Sequence, residues 1–145
     1  MLVLSLAAIM IGGIATSRYG AGVASDSTKY LSVAQSVVDG KGLFDHRGSP
    51  LLSWPPLYSI TIAGLSVLTG RDVFVAAWYF NMFLLGLNLF LSGVIFHKAF
   101  PEKILYAYLA VVFVFLSNPS LRIHSLISSD PFYLTMIFAL LLALD

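Results

Sequence analysis

The stretch Val73–Phe96 contains 24 consecutive residues without a formal charge, and it constrains the fold more than any other part of the sequence. A helix needs about 20 predominantly apolar residues to cross a bilayer, so this stretch is long enough to span one with some tilt. Of the 145 residues in the chain, 59% are hydrophobic and 10% are charged, whereas soluble domains carry about 25% charged residues. The sequence therefore predicts an all-α, polytopic transmembrane protein.

Further apolar segments lie on both sides of this stretch. We predict four membrane helices, near residues 2–17, 73–96, 101–117 and 131–145. Pro101 suits the first turn of the third helix, and the sequence SNPS at 117–120 is expected to end it. The first apolar run is short for a span, and Asp145 follows the last one without a loop. We therefore expect residues 1–145 to be the N-terminal part of a single larger transmembrane domain.

A signal peptide is the alternative interpretation of the first apolar run. Small residues at Gly22-Val23-Ala24 are compatible with a cleavage site. However, a signal peptide begins with a positively charged region, and no basic residue precedes this run. The apolar segments downstream also favour a first helix that is retained.

The long loop 18–72 contains two segments with helical patterns. Thr28–Val38 is amphipathic, with an apolar stripe formed by Tyr30, Leu31, Ala34, Val37 and Val38, which predicts a helix lying along the membrane surface. Leu57–Leu68 is apolar but only 12 residues long, which suits an interfacial or re-entrant helix better than a span. Between them, GLFDHRGSP at 42–50 is rich in turn residues, and the bend is expected at 47–50.

The short turn HKAFPEK at 97–103 provides the orientation. It contains Lys98 and Lys103, and short basic loops tend to face the cytoplasm. This orientation places loop 18–72 and the second loop, 117–130, together on the outer face. The conclusion requires that Leu57–Leu68 does not cross the membrane.

Each outer loop contains an acidic residue with two interpretations. Asp26 can cap the amphipathic helix, although Ser25, Ser27 and Thr28 can cap it equally well. Asp130, followed by Pro131, has the pattern of a helix start. A carboxylate close to lipid is costly and is often retained for function. The spacing alone favours the caps over a catalytic role.

Other polar residues have simple structural explanations. Trp54 and Tyr58 are typical of a membrane interface, and Arg122 and His124 in the second loop are expected to face solvent or meet a phosphate. Asn81 and Asn88, inside a predicted span, are expected to hydrogen-bond to neighbouring helices. The chain has no cysteine, no glycine-rich phosphate loop and no His spacing typical of a metal site, so no cofactor is indicated.

The order of these segments resembles the N-terminal region of the GT-C glycosyltransferases. A first span is followed by SDSTKYLSVAQ and DGKGLFDHRGSPLLSWPPLY, then by two long helices around a tight inner turn, and then by LRIHSLISSDPFYL. More narrowly, this resembles the branch of the protein O-mannosyltransferases and the lipid A aminoarabinose transferases. The Pro-Pro-Leu at 55–57 matches an element of that branch. The resemblance covers nearly the whole chain, which would be about the first third of such an enzyme.

The resemblance implies the transfer of a sugar from a polyprenyl-phosphate donor to a protein, glycan or lipid acceptor on the outer or periplasmic face. It assigns the role of catalytic base to Asp26 and a second catalytic role to Asp130. Substrate contacts would come from Lys29, Trp54, Tyr58, Arg122 and His124. The expected location is a prokaryotic plasma membrane, with several spans among membrane lipids, no nucleic-acid partner and no required cofactor, although a divalent metal stays an option. The chain has Asp26-Ser27 where the protein mannosyltransferases have Asp-Glu, which leaves sugar and acceptor open.

Two other classes of membrane protein have similar composition. A transporter or flippase fragment would carry ionisable residues deep inside its spans, and Val73–Phe96 has none. A noncatalytic polytopic subunit would use Asp26 and Asp130 only as helix caps.

Overall fold

The computed structural model describes residues 1–18, 20–51 and 54–144, and these residues form seven α-helices and no extended β-strand. In chain order the helices are α1 (Leu2–Ser17), α2 (Ser25–Val38), α3 (Pro56–Thr69), α4 (Val73–Ala99), α5 (Ile104–Leu116), α6 (Asn118–Ser125) and α7 (Asp130–Leu144). The all-α prediction is confirmed. The last residue of the predicted fourth span, Asp145, lies outside the described residues.

Helix α4 is the centre of the fold and packs against α1, α3, α5 and α7. Among the described helices it is the one that is long and apolar enough by itself to cross a membrane. Helices α5 and α6 satisfy the same criteria only as a single broken span, bent by 58° between them. Helices α1, α3 and α7 are shorter apolar helices. The described residues therefore form one membrane-capable helix, or two if the bent pair is counted as a span.

Small residues bring α1 and α4 close together. A Cβ atom added to Gly86 of α4 would lie 2.6 Å from Ile9 Cγ1 and 3.3 Å from the Ser5 carbonyl oxygen on α1. Ordinary carbon contacts are about 3.5–4.0 Å long, so a larger residue would push the two helices apart. The core beside this contact contains Ala8, Leu85, Leu89 and Val111.

A second core lies between α2, α3 and α4. It is built around two tyrosines, Tyr30 of α2 and Tyr58 of α3, whose rings meet edge to face with centres 5.1 Å apart. The buried stripe of α2 includes Tyr30 and Ala34 as predicted, but it also includes Val33, whereas Val38 is exposed. The amphipathic prediction for α2 is thus confirmed with a slightly rotated apolar face.

Several helix boundaries, and one whole helix, differ from the prediction. Helix α2 begins at Ser25 rather than Thr28, and α5 begins at Ile104, because residues 101–103 form a turn instead of the first helical turn. The largest difference is α6, which occupies a segment predicted to be loop. The Ser117 hydroxyl accepts a hydrogen bond from the Ser120 amide (3.4 Å) at its start, so the SNPS sequence ends one helix and starts another.

Two smaller features lie at or close to their predicted positions. Helix α3 coincides with the predicted short helix and ends at Gly70, whose φ of 63° suits glycine. In the turn-rich stretch 42–50, the Asp45 carboxylate accepts hydrogen bonds from the Arg47 and Ser49 amides (both 2.9 Å). The bend therefore lies slightly earlier than predicted, around Asp45–Gly48.

Candidate functional site

The segment Leu126–Ser129, here called the connector, joins α6 to α7 and lies against the start of the first loop. Gly22 N donates to Ser125 O (2.7 Å), and Ile127 N donates to Gly22 O (2.9 Å). A Cβ atom at Gly22 would lie 2.6 Å from Leu126 Cδ2, so glycine permits this close approach. The two segments predicted as separate outer loops are therefore in direct contact.

Two hydroxyl groups of α2 strengthen this contact. The fully buried Ser27 hydroxyl accepts from Ala24 N (2.8 Å) and donates to Ile127 O. One turn later, the Tyr30 hydroxyl is 2.8 Å from Ser129 Oγ. Buried polar groups are costly unless paired, so these bonds fix the connector on α2.

The two predicted catalytic acids flank this junction. Asp26 lies in the first turn of α2 and is half-buried, but it is not the N-cap as its structural interpretation required, because Ala24 occupies that position. Asp130 is exposed in the first turn of α7, where Tyr133 N donates to Ser129 O (2.9 Å). Negative charge is favourable in the first turn of a helix, so each acid retains a modest structural role.

The Tyr30 hydroxyl connects the two acids electrostatically. Burial raises the pKa of Tyr30 above its usual value, and the negative charges of Asp26 and Asp130 raise the pKa further. The charges of both carboxylates therefore act on the pKa of one hydroxyl group. The bonds from Ser27 to Ile127 O and from Tyr30 to Ser129 hold the segments that contain the two acids against each other.

The residues predicted to contact substrate on the first loop gather around the same tyrosine. Lys29 Nζ lies 4.6 Å from the centre of the Trp54 ring, and Trp54 packs edge-on against Tyr30 at 5.9 Å. Tyr58 is buried beneath Tyr30, and its hydroxyl donates to Asn81 Oδ1 (2.9 Å). Lys29 and Trp54 therefore remain accessible for a ligand, whereas Tyr58 supports the site from below.

Arg122 lies on α6 between two clefts. The first is an open cleft of about 510 Å³ that Arg122 shares with Asp130. The second, of about 450 Å³, is more apolar and is lined by Ile11, Thr16 and Met82 together with residues of α6. A guanidinium group beside largely apolar clefts is suited to bind an anionic group attached to an apolar chain.

His124, also predicted to contact substrate, has a different placement. Its side chain is 2% exposed, with Nδ1 2.8 Å from Ser120 O and Nε2 3.1 Å from Asn88 Nδ2. Both ring nitrogens are therefore occupied within the protein. The predicted hydrogen bonds of Asn81 and Asn88 are confirmed, because Asn81 also donates to Leu126 O (2.6 Å) and Asn88 to Pro131 O (2.9 Å).

Several residues of the junction were not singled out from the sequence. Tyr30 was recognised only as part of an apolar stripe, and Ser27 only as one of several candidate caps. A tyrosine in a buried stripe needs a partner for its hydroxyl, and this requirement is the signal that could have indicated the junction. No local sequence pattern indicates that Ser129 and Gly22 belong to the junction. Within 1–18, 20–51 and 54–144, no group of three or more His, Asp or Glu side chains is arranged to hold a metal ion.

No family model, curated protein or solved structure matches this chain. The function is therefore inferred from the chemistry of the joined loops.

Proposed function

We propose that this chain is the N-terminal part of a multi-pass membrane glycosyltransferase of the GT-C type. In this proposal α1, α4, α5 and α7 cross the membrane, while α2, α3, α6 and the connector lie at its outer surface. The observation that supports the proposal is the junction of the two loops, where Ser27 and Tyr30, close to Asp26, bond to Ile127 and Ser129, close to Asp130. A contact between the two outer loops is what a single catalytic site built from both would require.

The exposed apolar faces of the proposed spans support the membrane part of the proposal. Large apolar side chains are half or more exposed on all four proposed spans, including Leu2, Ile14, Phe83, Leu105, Phe113, Leu140 and Leu144. Apolar surface of this extent is normally covered by lipid or by other protein. Lipid, together with further helices of the same enzyme, would cover it here.

The chemistry of sugar transfer fits the accessible groups. Asp26 accepts the proton of the acceptor hydroxyl, whose oxygen then bonds to the anomeric carbon as the bond from that carbon to the phosphate oxygen breaks. The polyprenyl phosphate leaves with its negative charge, which Arg122 and Lys29 would stabilise. The apolar cleft beside Arg122 would receive part of the polyprenyl chain.

The test of the catalytic part is Asp26→Asn in the complete enzyme. The substitution removes the proton acceptor but preserves the shape of the side chain and costs only about 0.3–1 kcal/mol of helix-dipole stabilisation. We expect turnover to fall by about 10²-fold or more, with little change in melting temperature. The assay measures transfer of labelled sugar from a panel of polyprenyl-phosphate sugars.

The matched control is Asp39→Asn at the opposite end of α2. Asp39 is an exposed acid paired with Lys41 (2.9 Å), so the control changes the charge of the same helix away from the junction. It should leave transfer nearly unchanged. Near-normal transfer by the Asp26→Asn enzyme would refute the role of Asp26 as the base. Absence of transfer from every donor, even by the unmodified enzyme, would favour a transporter or a noncatalytic subunit.

A separate experiment tests the topology. Because the chain has no cysteine, single substitutions Ser49→Cys and Ser125→Cys give unambiguous labelling sites. A membrane-impermeant thiol reagent should label both from the outer side, whereas Glu102→Cys in the turn before α5 should be labelled only after the membrane is opened. Labelling of Ser49→Cys and Ser125→Cys from opposite sides would remove the basis for a shared outer site.

A further inference from the structure

His124 lies where α4, α6 and α7 meet, and its hydrogen bonds define its protonation state. A carbonyl oxygen can only accept, so the 2.8 Å contact with Ser120 O places the ring proton on Nδ1. The other nitrogen, Nε2, then carries no proton and accepts from Asn88 Nδ2 at 3.1 Å. The ring is therefore neutral in this arrangement.

The orientation of Asn88 is set by the carbonyl oxygen of Pro131, and the Thr135 hydroxyl is compatible with it. Its Nδ2 donates to Pro131 O (2.9 Å), and its Oδ1 accepts from the Thr135 hydroxyl (2.7 Å). Rotating the amide by half a turn would bring Oδ1 against Pro131 O, two acceptors facing each other. Asn88 must therefore present a donor to His124, and only a neutral ring can accept it.

We propose that protonation of His124 releases α6 from α4, so that this short helix responds to acid pH. A proton on Nε2 would face the Asn88 amide, donor against donor, in a buried place where an unpaired polar group is costly. The C-terminal end of the helix is anchored by the bonds from Gly22 to Ser125 O and from Asn81 to Leu126 O, so the release concerns the turns before Ser125, one face of which borders open clefts. This inference does not depend on the proposed sugar transfer.

The charged groups on the surrounding elements do not replace the lost bond. They are Arg122 on α6, Arg18 after α1, Asp130 at the start of α7, His97 and Lys98 at the far end of α4, and Lys103 before α5. The hydrogen bonds of the ring are those to Ser120 and Asn88, so no carboxylate is in place to accept a hydrogen bond from the added N–H group. Because Arg122 moves with α6, release would widen the cleft between α1, α4 and α6.

The test uses the whole chain, labelled with ¹⁵N-histidine, in lipid nanodiscs from about pH 7.5 to pH 4.5. At the upper pH, the nitrogen shifts of His124 should report a neutral ring with its proton on Nδ1. The exposed rings of His46 and His97 serve as references in the same spectra. As His124 becomes protonated, the exchange protection of amides in 121–125 should fall by about tenfold or more, while protection in α4 stays constant.

The variant His124→Asn completes the test. Its side-chain amide can still donate to Ser120 O but cannot gain a proton, so protection of 121–125 should become independent of pH. If this variant fails to fold, the titration of the unmodified chain decides the question alone. The proposal is overturned by a proton on Nε2 at neutral pH, by constant protection while His124 ionises, or by an acid response that persists in a folded His124→Asn chain.

Discussion

Replacing Gly86 by alanine tests whether the close contact between α1 and α4 sets the stability of the fold. The new Cβ atom would lie 2.6 Å from Ile9 Cγ1 and 3.3 Å from the backbone oxygen of Ser5. The end of the Ile9 side chain can rotate away, but the Ser5 oxygen moves only if α1 itself shifts. Inserting a carbon into such a packed contact costs about 1–3 kcal/mol.

An opposing effect must be separated from this cost. Alanine is favoured over glycine inside a helix by about 0.8–1.0 kcal/mol, whatever its surroundings. Gly13 of α1 and Gly64 of α3 provide the controls, because a Cβ atom at either position meets no atom within 4 Å. Gly13→Ala and Gly64→Ala should therefore stabilise the protein slightly, while Gly86→Ala should be neutral or destabilising by up to about 2 kcal/mol.

The comparison is made by thermal unfolding in detergent, followed by far-ultraviolet circular dichroism. For a chain of this size, 1 kcal/mol corresponds to about 2–4 °C in melting temperature. Gly86→Ala should therefore melt about 2–12 °C below the two control variants. If all three variants melt together, α1 does not pack on α4 at Gly86 and the arrangement of these helices is wrong.

Two further predictions concern the first loop. Ser27→Ala leaves Ile127 O and Ala24 N without their partner and should destabilise the fold by about 1–3 kcal/mol in denaturant titrations. The control Thr28→Ala, on the exposed side of α2, should cost much less. Equal effects of the two substitutions would show that Ser27 does not hold the connector. In the turn around Asp45, hydrogen bonding to the Ser49 amide, followed by that to Arg47, lowers the pKa of the Asp45 carboxyl. The turn should stay ordered above the ordinary aspartate pKa of about 3.9 and loosen as the pH falls through the lower folded value. The amide chemical shift of Ser49 should change with pH over this range in the unmodified chain and should not change in Asp45→Asn. A Ser49 shift that is independent of pH in the unmodified chain would show that the Asp45 carboxylate does not hold the turn.

The helices were predictable where local pattern determines them. The uncharged stretch Val73–Phe96 forms most of α4, and α3 is bounded by prolines and by Gly70, so their positions follow from composition and backbone geometry. The hydrogen bonding of Asn81 and Asn88 was also predictable, because an amide inside an apolar helix needs partners. In each case the decisive residues are close together in the sequence.

The junction of the two loops was not predictable in this way. Its bonds join Gly22, Ser27 and Tyr30 to residues of the connector, and no local pattern specifies such distant partners. Helix α6 was missed because SNPS is both a stop and a start signal. The cap of α2 was not predictable, because none of the four candidates at 25–28 is the N-cap. Ala24 occupies that position, and its amide donates to the Ser27 hydroxyl, which packs on the connector.

The distance along the chain between the partners of the junction also fixes when it can form during synthesis. Ser27 and Ile127 are separated by 100 residues. At a translation rate of about 5–20 residues per second, α2 exists for about 5–20 s before the connector emerges. Closing so long a loop also costs about 4 kcal/mol of chain entropy, which the adjacent helix packing must offset. The junction of the two loops is therefore completed after α1, α3 and α4 are already available to pack, and a nascent chain interrupted before the connector would display Tyr30 and Ser27 without their partners at Ser129 and Ile127.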